Sequence, residues 1–359
     1  MGLRRHRADV QAPRACPASA RTPASRGCRL LRQLQGQRRS DRTQESDSGR
    51  GIDCALRPQT TRKSRPALYS RLPRDQPSHG ARYGRARRRP RMTRPSISPL
   101  EGLPEIEAAM HGFAPRPDAL AGRVVLITGA SGGVGSAAAR ACLAAGAEVI
   151  LSARDPKRID PVYDELVETF GDARAPALLY LDQLGAGMDD YEQVAAAVVE
   201  QFGRLDGLVH AAAHLGELAT FTSYSPEQWV RVMQVNVNSA FLLTHTLMRA
   251  LHLSQDPSVV FVSDRVGRQG RAYWGAYAAS KFALEGMMQV LAHEFEPLGT
   301  ARANSWAPGP LRTRLRADAY PGELPESQPD PASVIADLIY LLGPDGQGVN
   351  GKALNARGK

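Results

Sequence analysis

From residue 124 onward, short apolar runs alternate with longer stretches in which apolar side chains return every three or four positions. The runs 124–128, 148–152, 177–181, 205–211, 258–262 and 301–306 predict strands. Apart from 301–306, which carries Arg302, Asn304 and Ser305, they are nearly continuous in apolar residues, as strands covered on both faces require. Helices are predicted between them: one after the first strand up to Gly146, one opened by Asp160 and Pro161 as cap and first-turn residue, others over 191–202, 226–253 and 331–342, and one that carries Tyr277 and extends to about Phe295. This alternation predicts an α/β domain built from right-handed crossovers, with a doubly wound, mostly parallel sheet between two helical layers. About 240 residues suffice for one such domain with a large core, and its span is set at 119–359.

The preceding residues do not share that pattern. Residues 92–118 carry Pro95, Pro99, Pro104, Pro115 and Pro117 and read as an arm leading into the domain. Residues 1–91 hold 24 of the 46 Lys and Arg but 6 of the 36 Asp and Glu, an excess of +18 that leaves the rest of the chain at −8. With no periodicity and much Arg, Pro, Ser and Gln, this segment has too little apolar surface to offset its ordering entropy, and disorder is expected. Two further expectations attach to it: a basic arm for anionic partners, or a translation start at Met92 with the upstream residues absent from the native protein. Tyr69 and Tyr83 are its only aromatics, too few for stacking on single strands, so nucleic acid is not the expected partner. No apolar run reaches the roughly 18 residues of a membrane span. Cys142 alone of four cysteines falls in the domain, and no metal spacing or disulfide framework follows; a reducing, cytoplasmic setting fits.

The first strand runs into Thr128-Gly129-Ala130-Ser131-Gly132-Gly133-Val134-Gly135 and then a helix. Glycines there let backbone approach a pyrophosphate, while free amides at the helix start favour its charge, as in Rossmann-type dinucleotide sites. The end of the second strand reads Ser152-Ala153-Arg154-Asp155. An acid in that region would take the ribose hydroxyl of NAD, whereas arginine accommodates the 2′-phosphate of NADP. Arg154 therefore favours NADP over NAD, with Asp155, beside Pro156, expected to cap a turn.

Tyr277 and Lys281 are four residues apart in an alanine-rich helical segment, which puts both on one face one turn apart. An ammonium beside a phenol favours the phenolate, making tyrosine a usable acid or base nearer neutrality.

Taken together, the motifs between about 120 and 357 resemble the short-chain dehydrogenase/reductase family. Thr128 to Gly135 match its glycine motif, Asp182 its adenine-side aspartate, and Asn236 its helix asparagine, with Phe241 five residues on. Tyr277 and Lys281 match its catalytic pair, and Pro308-Gly309 with Thr313 its segment beside the nicotinamide. The wording around Asn236 and Tyr277 looks most like the YciK-type branch. The resemblance implies an NADP-dependent oxidoreductase interconverting a carbonyl and an alcohol. Tyr277 would be its acid/base, Lys281 would hold the nicotinamide ribose, and Asn236 would anchor a proton-relay water. It implies a cofactor wall of Thr128, Gly129, Ser131, Gly132, Gly133, Val134, Gly135, Arg154, Asp182, Ala212, Tyr277, Lys281, Pro308, Gly309, Leu311 and Thr313, no metal, and a homodimer or homotetramer paired through the two long helices.

Two positions depart from the family pattern. His210-Ala211-Ala212-Ala213 replaces its N-N-A-G, and His210 is expected to be a hydrogen-bonded structural residue. Asp264 stands thirteen residues before Tyr277, where the family has its catalytic serine. An ionised carboxylate cannot donate to a carbonyl and opposes charge on a phenolate. Three outcomes follow: Asp264 acts as a protonated donor, Ser263 substitutes for it, or the protein binds NADP without catalysis. The substrate is expected to be recognised by residues 214–224 and a lid over 311–331.

Overall fold

The computed structural model describes residues 98–356, so the expectations for 1–91 and for Met92 lie outside the described residues. Seven parallel strands form one sheet in the order β3-β2-β1-β4-β5-β6-β7. They are β1 (Val124–Thr128), β2 (Glu148–Ala153), β3 (Ala177–Tyr180), β4 (Gly207–His210), β5 (Ser258–Val262), β6 (Arg302–Ala307) and β7 (Ala353–Asn355). The order reverses at β1, whose Thr128 is in register with Ser152 of β2 and His210 of β4. A sheet that turns back on itself in this way opens a crevice at the carboxyl ends of its central strands. The doubly wound expectation is met.

The helices are α1 (Leu103–Gly112), α2 (Gly133–Ala144), α3 (Pro156–Phe170), α4 (Met188–Phe202), α5 (Pro226–Met233), α6 (Ser239–His252), α7 (Gly275–Phe295), α8 (Arg314–Ala319) and α9 (Ala336–Leu342). One face of the sheet buries Val125, Ile127 and Leu151 with Ala138, Cys142, Ile159 and Leu338. The other buries Leu126, Leu208 and Phe261 with Val194, Leu243, Leu247, Leu284 and Met288. Each central strand thus sends alternate side chains into two separate cores, which explains their unbroken apolar runs. Burial drives the Cys142 thiol up to about 12, so it is an inert packing group.

Several boundaries differ from the sequence expectation. The helix expected to open at Asp160 and Pro161 begins at Pro156, with Asp155 Oδ1 accepting from the Lys157 amide, so Pro161 lies inside it. The single helix expected over 226–253 is interrupted by a π-helical turn over Gln234–Asn238. Helix α1 lies within the proline-bearing stretch read as an arm; it buries Met110, and Glu107 and His111 bond Asn355 beside β7. Helix α8 occupies part of the expected lid.

At the amino ends of the strands, charges close the sheet. Asp206 accepts from the Val124 amide at 2.8 Å, and Asp256 pairs with both Arg123 and the buried Arg302. The candidate site lies along the opposite, carboxyl edge.

Candidate active site

A cleft of about 1320 Å³ runs along the carboxyl edge of the sheet, from Arg154 and Arg158 at one end to Trp274 and Tyr320 at the other. Its floor is the turn after β1. Gly129 has φ +63°, and a Cβ on it would lie 2.6 Å from Ala212 Cα. A Cβ on Gly135 would lie 2.3 Å from the Gly129 carbonyl oxygen, and one on Gly133 would lie 2.7 Å from Thr313 Cγ2. Glycine at 129 and 135 is therefore a packing requirement as well as a route for backbone to reach a ligand. Gly132 precedes α2 and supplies no side-chain cap, so the first-turn amides face the cleft without a competing side chain.

Of the expected cofactor wall, Gly129, Ser131, Gly132, Gly133, Val134, Gly135, Arg154, Asp182, Ala212, Pro308, Gly309, Leu311 and Thr313 line the cleft, as do Tyr277 and Lys281. Thr128 does not. It is buried, and its hydroxyl accepts from the Ala211 and Ala212 amides at 3.1 Å, fixing the loop after β4 against the glycine turn. Arg154 and Arg158 are exposed, and among the described residues neither guanidinium has a hydrogen-bond or ion-pair partner. Arg158 was not anticipated; its place four residues after Arg154, in the first turn of α3, was the available signal. A dinucleotide carrying an extra phosphate fits these residues: a cradle that only glycine allows, uncapped amides, and two unpaired guanidiniums at the ribose end.

At the other end, Lys281 Nζ lies 5.5 Å from the Tyr277 ring centroid and donates to the Val262 carbonyl at 2.7 Å. Both residues are buried. Burial holds the Lys281 ammonium down to about 8, although Asp264 and Glu285 pull it upward. Burial pushes the Tyr277 phenol well above its ordinary range, and the Asp264 carboxylate adds to the effect.

The π-helical turn rotates Asn236 inward. Its Oδ1 accepts from the His214 amide at 2.7 Å, and its Nδ2 donates to the His214 carbonyl at 3.0 Å and to Ser280 Oγ at 2.9 Å. Asn236 thus fastens the substrate-side loop to α7, from behind the cleft wall. His210 is also behind that wall: it stacks on Phe261, its Nε2 is 2.8 Å from Thr244 Oγ1, and burial takes its pKa down to about 3. It is a neutral structural histidine, as expected.

Asp264 Oδ1 caps the short turn that follows by accepting from the Val266 amide at 3.1 Å. Its Oδ2 accepts from the Tyr277 hydroxyl at 3.5 Å, a long contact. The Ser263 hydroxyl points elsewhere, donating to buried Glu285 at 2.5 Å. Glu285 also accepts from Ser305 Oγ at 2.6 Å and Arg268 Nε at 3.0 Å. Ser263 thus lines the cleft with its hydroxyl engaged by Glu285, and the carboxylate of its neighbour Asp264 is what reaches the Tyr277 hydroxyl.

The substrate end is aromatic. Trp274 lies 5.7 Å from Tyr277 and 6.0 Å from Tyr320, between ring centroids, and Leu215, Val266 and Ala319 complete the apolar wall. Tyr273, with φ +74°, turns the chain so that its carbonyl accepts from Ala219, bringing the loop after β4 against the start of α7. Among the described residues, no cluster of His, Cys, Asp or Glu is arranged to hold a metal, and no helix is long and apolar enough to cross a membrane.

A parallel sheet with a glycine cradle at its switch point and a Tyr-Lys pair across the cleft defines a dinucleotide-dependent oxidoreductase class. Residues 123–323 match the short chain dehydrogenase family, and the chain belongs to it. It is 42% identical over 248 residues to the oxidoreductase YciK of Escherichia coli K12, covering 69% of this chain and 96% of that protein. A short chain dehydrogenase from Pseudomonas syringae shares 44% identity at a TM-score of 0.65, covering 68% of this chain and 98% of its own. One from Escherichia coli CFT073, solved in complex with NADPH, shares 42% identity at a TM-score of 0.65, covering 68% and 100%. The protein is an oxidoreductase of this family, close to YciK, with a small molecule as substrate.

Proposed function

We propose that this chain is an NADP(H)-dependent oxidoreductase that interconverts a carbonyl and an alcohol, with Tyr277 as the proton donor and acceptor. The observation that carries this reading is the cleft itself: one continuous channel joins the unpaired Arg154 and Arg158 to the Tyr277 hydroxyl and Lys281. Arg154 and Arg158 would bind the 2′-phosphate, which favours NADP over NAD, and Asp182 stands where the adenine would lie. The NADPH-bound relative from Escherichia coli CFT073 supports the same preference.

The bound nicotinamide supplies the hydride equivalent. The protein's own part is positional and electrostatic. The glycine cradle would hold the pyrophosphate, and Pro308, Gly309, Leu311 and Thr313 would hold the nicotinamide half. Lys281, one helical turn from Tyr277, supplies positive charge next to the phenol. Tyr277 gives its proton to the substrate oxygen, or takes it in the oxidative direction. Trp274, Leu215 and Tyr320 exclude water from the reacting carbon.

Asp264 slows carbonyl reduction, because it raises the proton affinity of Tyr277 and offers no donor to the oxygen. The same contact favours a second reading, a non-catalytic NADP-binding protein. Titrating the full chain with NADPH and NADH by fluorescence, followed by a panel of carbonyls and alcohols, tests both. The catalytic reading expects NADPH to bind more tightly, turnover to be measurable, and Tyr277→Phe to abolish turnover without loss of binding. Turnover absent from the wild type on every class of substrate and appearing in Asp264→Ser would favour the second reading. A homodimer or homotetramer through α6 and α7 is part of the proposal, supported by exposed Phe241, Phe282 and Val290; light scattering tests it.

A further inference from the structure

The substrate end of the cleft is lined by a carboxylate, that of Asp264, beside a phenol that resists ionisation. Asp264 Oδ2 is 3.5 Å from the Tyr277 hydroxyl, and Oδ1 is fixed by the Val266 amide, so the carboxylate is oriented by its own backbone turn. Of its neighbours, the Ser263 hydroxyl donates to Glu285, and Lys281 spends one of its three donors on the Val262 carbonyl. Four arginines line this end of the cleft, and three of them are engaged by neighbouring side chains. Arg271 donates to the Tyr320 hydroxyl at 2.7 Å, Arg316 pairs with Glu323, Arg314 with Asp318, and Arg265 is exposed. The charged group within reach of the Tyr277 hydroxyl itself is the Asp264 carboxylate, at 3.5 Å, while Lys281 Nζ lies 5.5 Å from the ring centroid.

A negative oxygen acceptor repels the lone pairs of a C=O group and attracts an N–H⁺. Trp274, Tyr277 and Tyr320 give the same end of the cleft an aromatic wall for a flat substrate, with Lys281 over the Tyr277 ring and Arg316 over that of Tyr320. We infer that this site takes a C=N substrate in its protonated, iminium form, with the nitrogen held by the Asp264 carboxylate and the ring system among Trp274, Tyr277 and Tyr320. The product is the corresponding amine.

The chemistry balances without the proton that Tyr277 would give to an oxygen. A C–H bond forms between the iminium carbon and the hydride supplied by the reduced nicotinamide, which is oxidised. The π pair of the C=N bond moves onto nitrogen and discharges its positive charge. No acid is consumed in the step, so the raised proton affinity of Tyr277, an obstacle for carbonyl reduction, costs nothing here. Asp264 lowers the energy of the cation in the ground state and, in reverse, of the iminium forming from an amine.

This inference rests on the hydride-transfer reading above and narrows its substrate. The test uses the full chain with NADPH and two matched bicyclic probes, dihydroisoquinoline as the imine and tetralone as the ketone. Binding is read independently by calorimetry in the presence of NADP⁺, with the amine product tetrahydroisoquinoline against the neutral alcohol tetralol. The wild type is expected to reduce the imine at least tenfold faster than the ketone and to bind the ammonium at least tenfold more tightly than the alcohol. Asp264→Asn keeps an oxygen for the Val266 amide and should lose both preferences. Asp264→Ser should reverse the first.

Equal loss of both activities in Asp264→Asn, with no change in the ratio of ammonium to alcohol binding, would overturn the C=N assignment and leave the oxidoreductase reading standing. So would ketone turnover confined to Asp264→Ser with no imine turnover in the wild type. Failure of every variant to bind NADPH or turn over either probe would instead bring down the hydride-transfer reading, and the present one with it.

Discussion

The Asp264 carboxylate stands against the Tyr277 hydroxyl at 3.5 Å, so the acid/base candidate of the cleft faces a negative charge on one side while Lys281 lies one turn along its helix. Burial and Asp264 both push the phenol upward. Replacing Asp264 with serine removes the second cause and leaves the first. Tyrosinate titration by ultraviolet difference spectroscopy should show Tyr277 ionising at lower pH in Asp264→Ser than in wild type. Carbonyl reduction should rise by about tenfold for each pKa unit recovered, since one unit is about 1.4 kcal/mol. No movement of the Tyr277 titration would mean that Asp264 does not govern it.

Removing Arg154 or Arg158 should weaken NADPH binding and leave NADH nearly unchanged, because neither guanidinium has a partner among the described residues and both line the end of the cleft proposed to take the adenosine ribose. A charge-assisted contact to phosphate is worth about 1.5–3 kcal/mol, so each Ala variant should lose about tenfold to a hundredfold in NADPH affinity. Fluorescence titrations with both nucleotides read the ratio directly. An equal loss for NADPH and NADH would show that these residues act on something the two share.

The strands and the Tyr-Lys spacing were legible in the sequence because both follow from backbone period: a doubly covered strand reads as one apolar run, and residues four apart share a helix face. The fate of Ser263 was not legible. Its hydroxyl is captured by Glu285, which is 22 residues away in sequence and meets it only when α7 packs on β5 and β6. The π-helical turn around Asn236 was hidden for a similar reason, since its five residues keep a helical pattern while the backbone bonds shift by one. Helix α1 was masked by flanking prolines, although Pro104 at its start is compatible with a first helical turn.

The glycine cradle should tolerate no side chain. In Gly135→Ala the new methyl would meet the Gly129 carbonyl at 2.3 Å, and in Gly129→Ala it would meet Ala212 at 2.6 Å from a backbone with φ +63°. Strain of this kind costs of order 1–3 kcal/mol at each site before any clash is relieved. Chemical denaturation should register that loss, and NADPH affinity should fall with it. An Ala variant at Gly122, which has open space but also a positive φ, serves as the control for backbone strain without the clash.

Glu285 holds Ser263, Ser305 and Arg268 in one buried knot. Glu285→Ala leaves the Arg268 guanidinium without its carboxylate partner, a change that typically costs about 3–5 kcal/mol in a buried pair. Glu285→Gln keeps two acceptor contacts within reach and should lose less. Both variants also withdraw a negative charge that pulls Lys281 upward, so the ammonium should titrate lower than in wild type. Denaturation midpoints and the lysine titration together separate the packing effect from the electrostatic one.

Lys281 gives a pH dependence whose sign is fixed by its burial. Its folded-state value is about 8 against an ordinary 10.5, so the folded protein releases that proton before the unfolded chain does. Below pH 8 both states are charged and the desolvation cost is fully present; between 8 and 10.5 the unfolded state binds more proton, and stability from this group rises with pH. Cys142 and Tyr277 act in the opposite direction at alkaline pH, because folding holds their protons on. Comparison with Lys281→Met isolates the lysine, since those opposing groups are common to both proteins. The stability advantage of the Met variant should be greatest below pH 8 and shrink steadily as pH rises through 10. An advantage independent of pH over that window would show that the ammonium is not desolvated in the folded protein.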